Sequence, residues 1–296
     1  MTGRMLVAGA AGRLGASVVD AFSGCDVVAH TRATLDITDP DAVRRVVGET
    51  EPTVIVNCAA FNDVDAAEDR PADALAANAF AVRSLARAAE TCGATLVHFG
   101  TDFVFDGNAT EPYGEEAAPS PRSVYALSKL LGEWFALDAP RGFVLRVESL
   151  FGAPAGWRGR SGSLDAIVDG LEHDRLVNVF TDRVVSPSYA QDVARAVRHL
   201  VETSASPGLY HCVNSGWATW YDVAEEAAHL LGVRPRLQPV TLDQVAFKAT
   251  RPRFCALANR KLAETGFTMP TWNDALRRWL AERAVGTPRR HTRAAH

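Results

Sequence analysis

Short apolar segments alternate with longer helical patterns through the first half of this chain. The short segments share a run of Val, Leu, Ile, Ala or Phe with little polar interruption, and they are Met5–Ala8, Val27–Ala29, Val54–Val56, Leu96–Phe99 and Phe143–Leu145. Strands buried on both faces of a parallel sheet have this composition. Amphipathic patterns typical of helices separate them, near residues 13–23, 40–49, 71–92 and 122–137. The alternation predicts an α/β fold with a doubly wound parallel sheet and right-handed crossovers.

The pattern becomes irregular after residue 152. It predicts helices near 163–173, 189–202 and 273–282 and a strand near 176–179. Open α/β sheets bind ligands beyond the carboxyl ends of their strands, so we expect a smaller, discontinuous C-terminal part that covers those ends. The predicted division has three parts: a sheet domain of residues 1–151 with roughly 180–208, a second domain of roughly 152–179 with 209–285, and a flexible tail of 286–296.

Composition places the chain among soluble globular proteins. It has 296 residues, of which 47% are hydrophobic and 22% charged. The net charge of −4 gives no reason to expect nucleic acid or an acidic membrane surface as a partner, and the short basic segment Arg289–Arg293 is expected to be a solvated end. No run of about 18 apolar residues predicts a membrane span. The five cysteines are scattered without a metal-binding spacing, which predicts reduced thiols, a cytoplasmic location and no metal site.

A glycine-rich loop follows the first predicted strand and leads into the first predicted helix. Its glycines, Gly9, Gly12 and Gly15, permit a tight turn and close approach of backbone to a pyrophosphate. The helix N-terminus offers unpaired N–H groups to the same phosphates. The loop predicts a bound dinucleotide, with these glycines and the adjacent Arg13 and Leu14 as contacts. The spacing GxxGxxG, rather than GxGxxG, indicates the short-chain reductase type.

The end of the second strand bears on the choice of cofactor. His30, Thr31 and Arg32 follow, with no Asp or Glu to accept a ribose 2′-hydroxyl. An arginine suits a 2′-phosphate, so the sequence favours NADP(H), with NAD(H) possible, unless Arg32 is simply a surface residue. Further candidates for the adenosine end of the cofactor site follow the second and third strands, and they are Asp36, Ile37, Ala59 and Ala60. Asp36 has the alternative role of capping the helix that begins near Pro40.

Tyr125 and Lys129 stand four residues apart, on one face of a predicted helix. A free tyrosine has a pKa near 10, and a nearby cation lowers that pKa by stabilising the phenolate. The ammonium could also hold the nicotinamide ribose. The chain has only three lysines among its 31 Lys and Arg residues, so a lysine here suits a role that needs a compact charge. The alternative is that the two residues form a merely structural i,i+4 pair on the helix.

Thr101 follows the fourth predicted strand and completes a candidate catalytic set. Its hydroxyl would hydrogen-bond a substrate carbonyl oxygen while hydride arrives from the cofactor. Tyr125 would then donate its proton to that oxygen. Asp102 and Phe103 are expected to contact the substrate, with a turn and a core aromatic as their alternative roles. His98 alternates with apolar neighbours and is expected to lie in the core.

These motifs resemble the dTDP-4-dehydrorhamnose reductase family, a branch of the extended short-chain dehydrogenases/reductases. The resemblance covers the chain to about residue 285, and it rests on Gly9–Gly15, Asn57–Ala60, Asn78, Gly100–Phe105, Tyr125-xxx-Lys129, Ser186–Tyr189, Gly208–His211 and Arg251–Arg253. It implies a Rossmann-type domain with a small substrate domain, and NADPH-dependent reduction of the 4-keto group of a nucleotide-linked 6-deoxysugar. It also implies that Thr101, Tyr125 and Lys129 form the catalytic triad. Asn78 is expected to contact the cofactor and to support the active site, and a homodimer is possible.

The sequence departs from the family beside the expected sugar pocket. Family members usually carry Thr-Ser-Trp after a Leu-Arg pair, whereas Leu145-Arg146 is followed here by Val147, Glu148 and Ser149. The tryptophan is therefore absent, and Glu148 is expected to contact the substrate instead. Gly100 also stands where a serine is common. Two other functions remain open, an epimerase or dehydratase that retains NAD and an NADP(H)-binding regulatory subunit without turnover.

Overall fold

The computed structural model describes residues 3–203 and 205–286, and the basic segment Arg289–Arg293 and the rest of the predicted tail from 287 onward lie outside this range. The strands are β1 Met5–Ala8, β2 Val27–His30, β3 Val54–Asn57, β4 Thr95–Thr101, β5 Gly142–Val147, β6 Leu150–Phe151, β7 Val177–Phe180, β8 Val184–Val185, β9 Ser188–Tyr189, β10 Gly208–His211, β11 Ala218–Thr219 and β12 Leu237–Val240. The five predicted strands of the first half are therefore confirmed.

Helices flank and connect these strands. They are α1 Arg13–Ala21, α2 Pro40–Thr50, α3 Val64–Asp69, α4 Pro71–Leu75, α5 Ala81–Cys92, α6 Val124–Leu137, α7 Ser163–Glu172, α8 Ala190–Glu202, α9 Trp220–Leu231, α10 Arg260–Glu264 and α11 Trp272–Gly286. A π-helical turn, Ala76–Phe80, divides the predicted helix of 71–92 into α4 and α5. Within the described residues, no helix has both the length and the apolar character needed to cross a membrane.

Six strands form one parallel sheet in the order β10-β5-β4-β3-β1-β2, which confirms the predicted fold class. The helices α1 and α8 cover one face through a cluster that includes Val18 and Val193. The helices α2, α5 and α6 cover the other through a cluster that includes Val43 and Leu85. The chain leaves β1 toward β2 and then crosses to β3 on the opposite side of β1. The crevice outside the ends of β1 and β3 is therefore the expected ligand site.

The smaller C-terminal part has a hydrophobic core of its own. It is built from α7, α9 and α11 with the short strand pairs β7–β12 and β8–β11, and aromatic residues such as Phe151, Tyr189 and Trp279 fill its centre. Helix α9 was not predicted, although Thr219 and Asp222 form a capping box at its start and its apolar residues follow a helical spacing. The two-residue strands are too short to show a periodicity. This core fixes the segment from β7 to β9 against the carboxyl ends of the main sheet.

The cap of α2 corrects one sequence-based alternative. The Asp39 carboxylate, immediately before Pro40, accepts hydrogen bonds from the N–H groups of Asp41 and Ala42 at 2.9 and 3.2 Å. Asp36 instead accepts hydrogen bonds from the backbone and hydroxyl of Thr38 at 3.0 and 2.7 Å. The alternative that Asp36 caps the helix is wrong, because it lies one turn too far upstream. Asp36 remains available at the edge of the crevice.

Candidate active site

Two adjoining cavities occupy the crevice and collect most of the predicted site residues. The first, of about 340 Å³, is lined by the predicted residues Gly12, Arg13, Leu14, Ala59, Ala60, Thr101, Asp102, Phe103, Tyr125, Lys129 and Glu148. The second, of about 420 Å³, is lined by the predicted residues Gly9, Gly12, Arg32, Asp36, Ile37, Ala59 and Ala60. Shared lining residues join the two into one groove along the strand ends. Gly15 and Asn78 line neither cavity.

The glycine-rich loop has the geometry that a pyrophosphate needs. Gly9 adopts a φ of +78°, and a Cβ there would lie 2.6 Å from the backbone nitrogen of Ala59. A Cβ on Gly15 would lie 2.3 Å from the carbonyl oxygen of Gly9, so Gly15 packs α1 against the loop. No side chain caps the N-terminus of α1. Its first N–H groups therefore face the groove and can bind an anion.

Arg13 lies at the first cavity, but its guanidinium is already engaged. It donates to the carbonyl of Gly152 at 3.2 Å and forms a 2.5 Å ion pair with Asp165. Trp157 stacks 5.0 Å from it and donates its indole N–H to the carbonyl of Ala11 at 3.0 Å. The 152–162 loop is thus fastened over the glycine-rich loop. A hollow of about 800 Å³ beneath it is lined by none of the catalytic candidates and is not assigned as the active site.

Arg32 lies at the opposite end of the groove, where a 2′-phosphate would be expected. Its side chain is exposed and lines the second cavity beside Asp36 and Ile37. Hydrogen bonds from Thr38 hold the pKa of Asp36 below its ordinary value, and the charge of Arg32 adds to this effect. The strand end carries no carboxylate at His30 or Thr31, as the sequence showed. The arrangement fits a phosphorylated ribose better than a free 2′-hydroxyl.

Thr101, Tyr125 and Lys129 come together in the first cavity. Ser123 caps α6, and the helix then presents Tyr125 and Lys129 on the face toward β4. The Thr101 hydroxyl hydrogen-bonds the Tyr125 phenol and donates to Asp102 Oδ1 at 3.0 Å. Lys129 Nζ donates to the carbonyl oxygen of Phe99 at 2.6 Å. The strand end and one helix face therefore bring an oxyanion donor, a phenol and an ammonium to one point.

The protonation of Tyr125 differs from the sequence-based expectation. Burial raises its pKa above the ordinary value, and the charges of Asp102 and Glu133 raise it further, against the hydrogen bond from Thr101. The prediction that Lys129 lowers this pKa is therefore wrong for the present structure, in which burial raises it. Tyr125 therefore stays protonated at neutral pH. A protonated phenol is the form that a general acid requires in a reduction.

Burial lowers the pKa of Lys129 to about 8, against the charge of Glu133, which raises it. Between about pH 8 and the ordinary lysine pKa near 10.4, the unfolded chain binds the proton that the folded protein has lost, so folding becomes more favourable as pH rises. A Lys129→Met variant lacks this titration. Below pH 8 we expect the variant to have the larger free energy of unfolding, because it buries no ammonium. The difference in free energy of unfolding between the variant and the unmodified protein, measured by denaturant unfolding, should shrink from about pH 8 upward. An advantage that stays constant across this window would contradict the lowered pKa.

Asn78 supports the site from behind. It is buried in the π-helical turn, where its side chain pairs with the backbone N–H and carbonyl of Phe61 at 2.8 and 3.0 Å. It also donates to the hydroxyl of Ser128, the residue before Lys129, at 3.0 Å. A π-helical turn of this kind is often found at a functional site. These bonds fix α6 relative to the loop after β3, and none of them points to direct contact with cofactor.

A buried polar cluster, which sequence reasoning found only in part, adjoins the triad. Asp102 and Glu148 line the cavity, and Arg183 and Cys255 stand beside them. Arg183 also lies 5.3 Å from the ring of Phe103, which makes an edge contact with Tyr125 at 5.6 Å. Neither Arg183 nor Cys255 carried a sequence signal, because each is remote along the chain from the motifs. Arg183 brings one positive charge to this cluster, beside the two carboxyl groups of Asp102 and Glu148.

The sheet order, the uncapped α1 and the Thr-Tyr-Lys constellation define the class of the protein, a short-chain dehydrogenase/reductase. The chain belongs to the family described as RmlD substrate binding domain, whose model matches residues 3–285. The resemblance inferred from the sequence motifs is thereby confirmed.

Relatives and solved structures of similar length match nearly the whole chain. A dTDP-4-keto-6-deoxy-D-glucose reductase of Streptomyces niveus is 38% identical over 282 residues, which cover 93% of this chain and 96% of that protein. A dTDP-4-dehydrorhamnose reductase of Streptomyces griseus is 36% identical, with 94% and 91% covered. The structure of a dTDP-4-dehydrorhamnose reductase of Bacillus anthracis in complex with NADP is 30% identical, has a TM-score of 0.89, and is matched over 95% and 100% of the two chains.

Proposed function

We propose that this protein reduces the 4-keto group of a nucleotide-linked 6-deoxysugar with NADPH. The observation that carries the proposal is the meeting of Thr101, Tyr125 and Lys129 in a cavity that continues into the glycine-rich loop. The relatives support it, because their names describe reductases of this substrate class and one was solved with NADP. The named residues Gly9, Gly12, Arg13, Leu14, Gly15, Arg32, Asp36, Ile37, Ala59 and Ala60 form the proposed cofactor site.

The residues present fit NADPH. The glycine loop has no room for a Cβ at Gly9, the N-terminus of α1 is uncapped, and Arg32 is exposed at the ribose end. Bound NADPH supplies the hydride. When the substrate binds, Thr101 turns its one hydroxyl proton from Asp102 Oδ1 to the keto oxygen, and Tyr125 donates a second hydrogen bond to the same oxygen. Both stabilise the negative charge that develops on it. The phenol proton passes to this oxygen, giving the alcohol, and the Lys129 ammonium stabilises the phenolate that remains.

The proposed division of labour is between the sheet domain and the smaller C-terminal part. Residues 1–151 with roughly 180–208 would bind the cofactor, while roughly 152–179 and 209–285 would bind the nucleotide sugar. The separate core around Trp220 and Trp279 supports a second part, although strand β10 belongs to the main sheet and Phe151 and Tyr189 pack in the C-terminal core, so these bounds are approximate. A cytoplasmic location belongs to the same proposal, and the five free cysteines suit a reducing compartment. A homodimer remains a prediction, for which light scattering is the direct measurement.

The test of the proposed function is NADPH oxidation by the purified protein, followed at the nicotinamide absorbance. The first substrate is dTDP-4-keto-6-deoxy-L-mannose, generated during the assay, and other nucleotide-linked 4-keto-6-deoxysugars follow. We expect substrate-dependent oxidation with at least one of them. Absence of oxidation across the panel, with NADPH still binding, would overturn the proposal. Copurified NAD that resists dialysis would favour an epimerase or dehydratase instead.

The role of Arg32 is tested by cofactor preference. We expect Arg32→Ala to weaken NADPH binding by roughly ten-fold or more while NADH binding changes little, because only the 2′-phosphate loses its charged partner. Dissociation constants for both cofactors, measured by fluorescence titration, give the ratio. Arg234→Ala, at an exposed arginine in the loop after α9, serves as the matched control. An unchanged ratio in Arg32→Ala would remove this residue from the phosphate site.

A further inference from the structure

Three buried polar atoms without a partner lie close together beside the catalytic residues. They are Glu148 Oε1, Asp102 Oδ2 and Arg183 Nε. The Glu148 and Asp102 side chains are 1% and 3% exposed, and both line the cavity that contains Thr101 and Tyr125. A buried polar atom left unsatisfied destabilises the protein, because it has lost its hydrogen bonds to water and gained none in return. Such atoms concentrated at a catalytic cavity point to a ligand that supplies their hydrogen bonds.

The remaining atoms of both carboxyl groups are held in place by the protein. Glu148 Oε2 accepts the backbone N–H of Ser186 at 2.7 Å, in the segment between β8 and β9. Asp102 Oδ1 accepts the hydroxyl of Thr101 at 3.0 Å. One carboxyl oxygen of Glu148 lies within 4.8 Å of one carboxyl oxygen of Asp102. The two free oxygens are therefore fixed before any ligand arrives, which favours selective binding.

The contact with Thr101 gives the position of the Asp102 and Glu148 carboxyl groups relative to the reacting carbon. In the proposed function, the Thr101 and Tyr125 hydroxyls hold the keto oxygen, and Asp102, whose Oδ1 accepts the Thr101 proton before the substrate binds, lies directly beside Thr101. The carboxyl pair therefore lies one hydrogen bond beyond the keto oxygen. In a pyranose ring, the substituent nearest to a ketone is the one on the neighbouring carbon. A 4-ketone has two neighbouring ring carbons, and because C5 carries the methyl group in a 6-deoxysugar, the C3 substituent is the one that can hydrogen-bond to Asp102 and Glu148.

The chemistry of the pair favours a hydroxyl group. Burial raises the pKa of Glu148 well above its ordinary value and also raises that of Asp102, while the single charge of Arg183 opposes both effects. One guanidinium balances one carboxylate, so the other carboxyl keeps its proton. The pair then presents a donor and an acceptor together, and a hydroxyl is both. The neighbouring Cys255 thiol and Ser186 N–H carry no charge that alters this balance.

We propose that Glu148 and Asp102 form a subsite that selects 4-keto sugars bearing a free hydroxyl on the ring carbon next to the ketone. The inference rests on the proposed function, which supplies the orientation of the ketone. A 3-deoxy sugar would leave both carboxyl oxygens unsatisfied in a dry cavity. Sites built to hydrogen-bond a substrate hydroxyl reject the analogue that lacks it.

The experiment compares two matched nucleotide-linked 4-keto-6-deoxysugars, one with the C3 hydroxyl and one 3-deoxy. In the unmodified protein we expect kcat/KM to favour the hydroxyl substrate by at least about 100-fold. In Glu148→Ala the ratio should fall below about ten, through loss of kcat/KM on the hydroxyl substrate alone. Glu148→Gln keeps an acceptor for Ser186 and should give an intermediate ratio. The control is Glu115→Gln. The Glu115 carboxylate accepts the backbone N–H of His211 at 3.0 Å and does not line the cavity, so the substitution should leave the ratio of the two kcat/KM values unchanged.

Binding of the corresponding reduced products, measured by calorimetry in the presence of NADP, separates this inference from the proposed function. Tighter binding of the hydroxyl product, lost in Glu148→Ala, would support the subsite even without NADPH oxidation, and the proposed function alone would then be wrong. Equal binding of the two products, or a ratio unaltered in both Glu148 variants, would overturn the subsite. Thermal unfolding and NADPH binding show whether each variant is folded.

Discussion

Tyr125→Phe is expected to lower kcat by about 10²- to 10⁴-fold, the range that a positioned general acid supplies. The substitution removes only the phenol oxygen, and with it the proton donor and the hydrogen bond to Thr101. The ring keeps its edge contact with Phe103. NADPH binding should change little, because the glycine loop and Arg32 are untouched. Steady-state kinetics and a fluorescence titration of NADPH measure the two effects separately.

A matched control exists in Tyr210, whose buried phenol donates to the carbonyl of Ser206 at 2.6 Å outside both cavities. Tyr210→Phe removes a comparable hydrogen bond, which is worth about 1 kcal/mol of stability, without touching the reaction. Its kcat should stay near that of the unmodified protein. Should Tyr125→Phe retain kcat within about ten-fold, another group donates the proton and the assignment of the acid is wrong.

The second large effect is expected at Gly9. A methyl group there would lie 2.6 Å from the nitrogen of Ala59, and the φ of +78° is one that side chains rarely adopt. Gly9→Ala must therefore push apart the loops after β1 and β3, which together form the floor of the groove. We expect NADPH affinity to fall by at least about 100-fold, as misplacing a preorganised phosphate loop removes several hydrogen bonds.

The control for Gly9→Ala is Gly24→Ala. Gly24 has a similar φ of +88°, but a Cβ there meets nothing within 4 Å. It carries the backbone strain without the collision, so it should cost about 1 kcal/mol of stability and leave NADPH binding intact. Both variants are compared by denaturant unfolding and by NADPH titration. If the two variants lost the same affinity for NADPH, backbone strain rather than the collision with Ala59 would be the cause of the weaker binding.

The sheet and its cofactor loop were predictable from sequence because their signals are local. Apolar strands such as Val54–Val56, the glycine spacing and the i,i+4 pair Tyr125 and Lys129 each lie within one short window. The alternation of strand and helix predicted a doubly wound parallel sheet, whereas the order of its strands is known only from the structure. The prediction that Asp36 caps α2 was wrong for a local reason as well, because Asp39 stands directly before the helix and its side chain forms the cap.

The surroundings of the triad could not be predicted, because they depend on distant parts of the chain. Arg183 and Cys255 reach Asp102 only after the C-terminal part folds over the sheet. The raised pKa of Tyr125 depends on burial, which spacing does not reveal. At Gly100, a Cβ would lie 2.1 Å from Glu133 Oε1, which forms a buried ion pair with Arg146. Tertiary packing of this kind explains the glycine there, and no motif records it.

The fastening of Trp157 to the glycine-rich loop gives the protein a built-in optical reporter. Indole emission depends on the hydrogen bond of the ring nitrogen and on nearby charge. Here the indole N–H bonds the carbonyl of Ala11, and the Arg13 guanidinium lies 5.0 Å from the ring. A phosphate arriving at that loop alters both surroundings. Because the chain has five other tryptophans, we expect the difference in intrinsic fluorescence between the unmodified protein and a Trp157→Phe variant to register the filling of the groove.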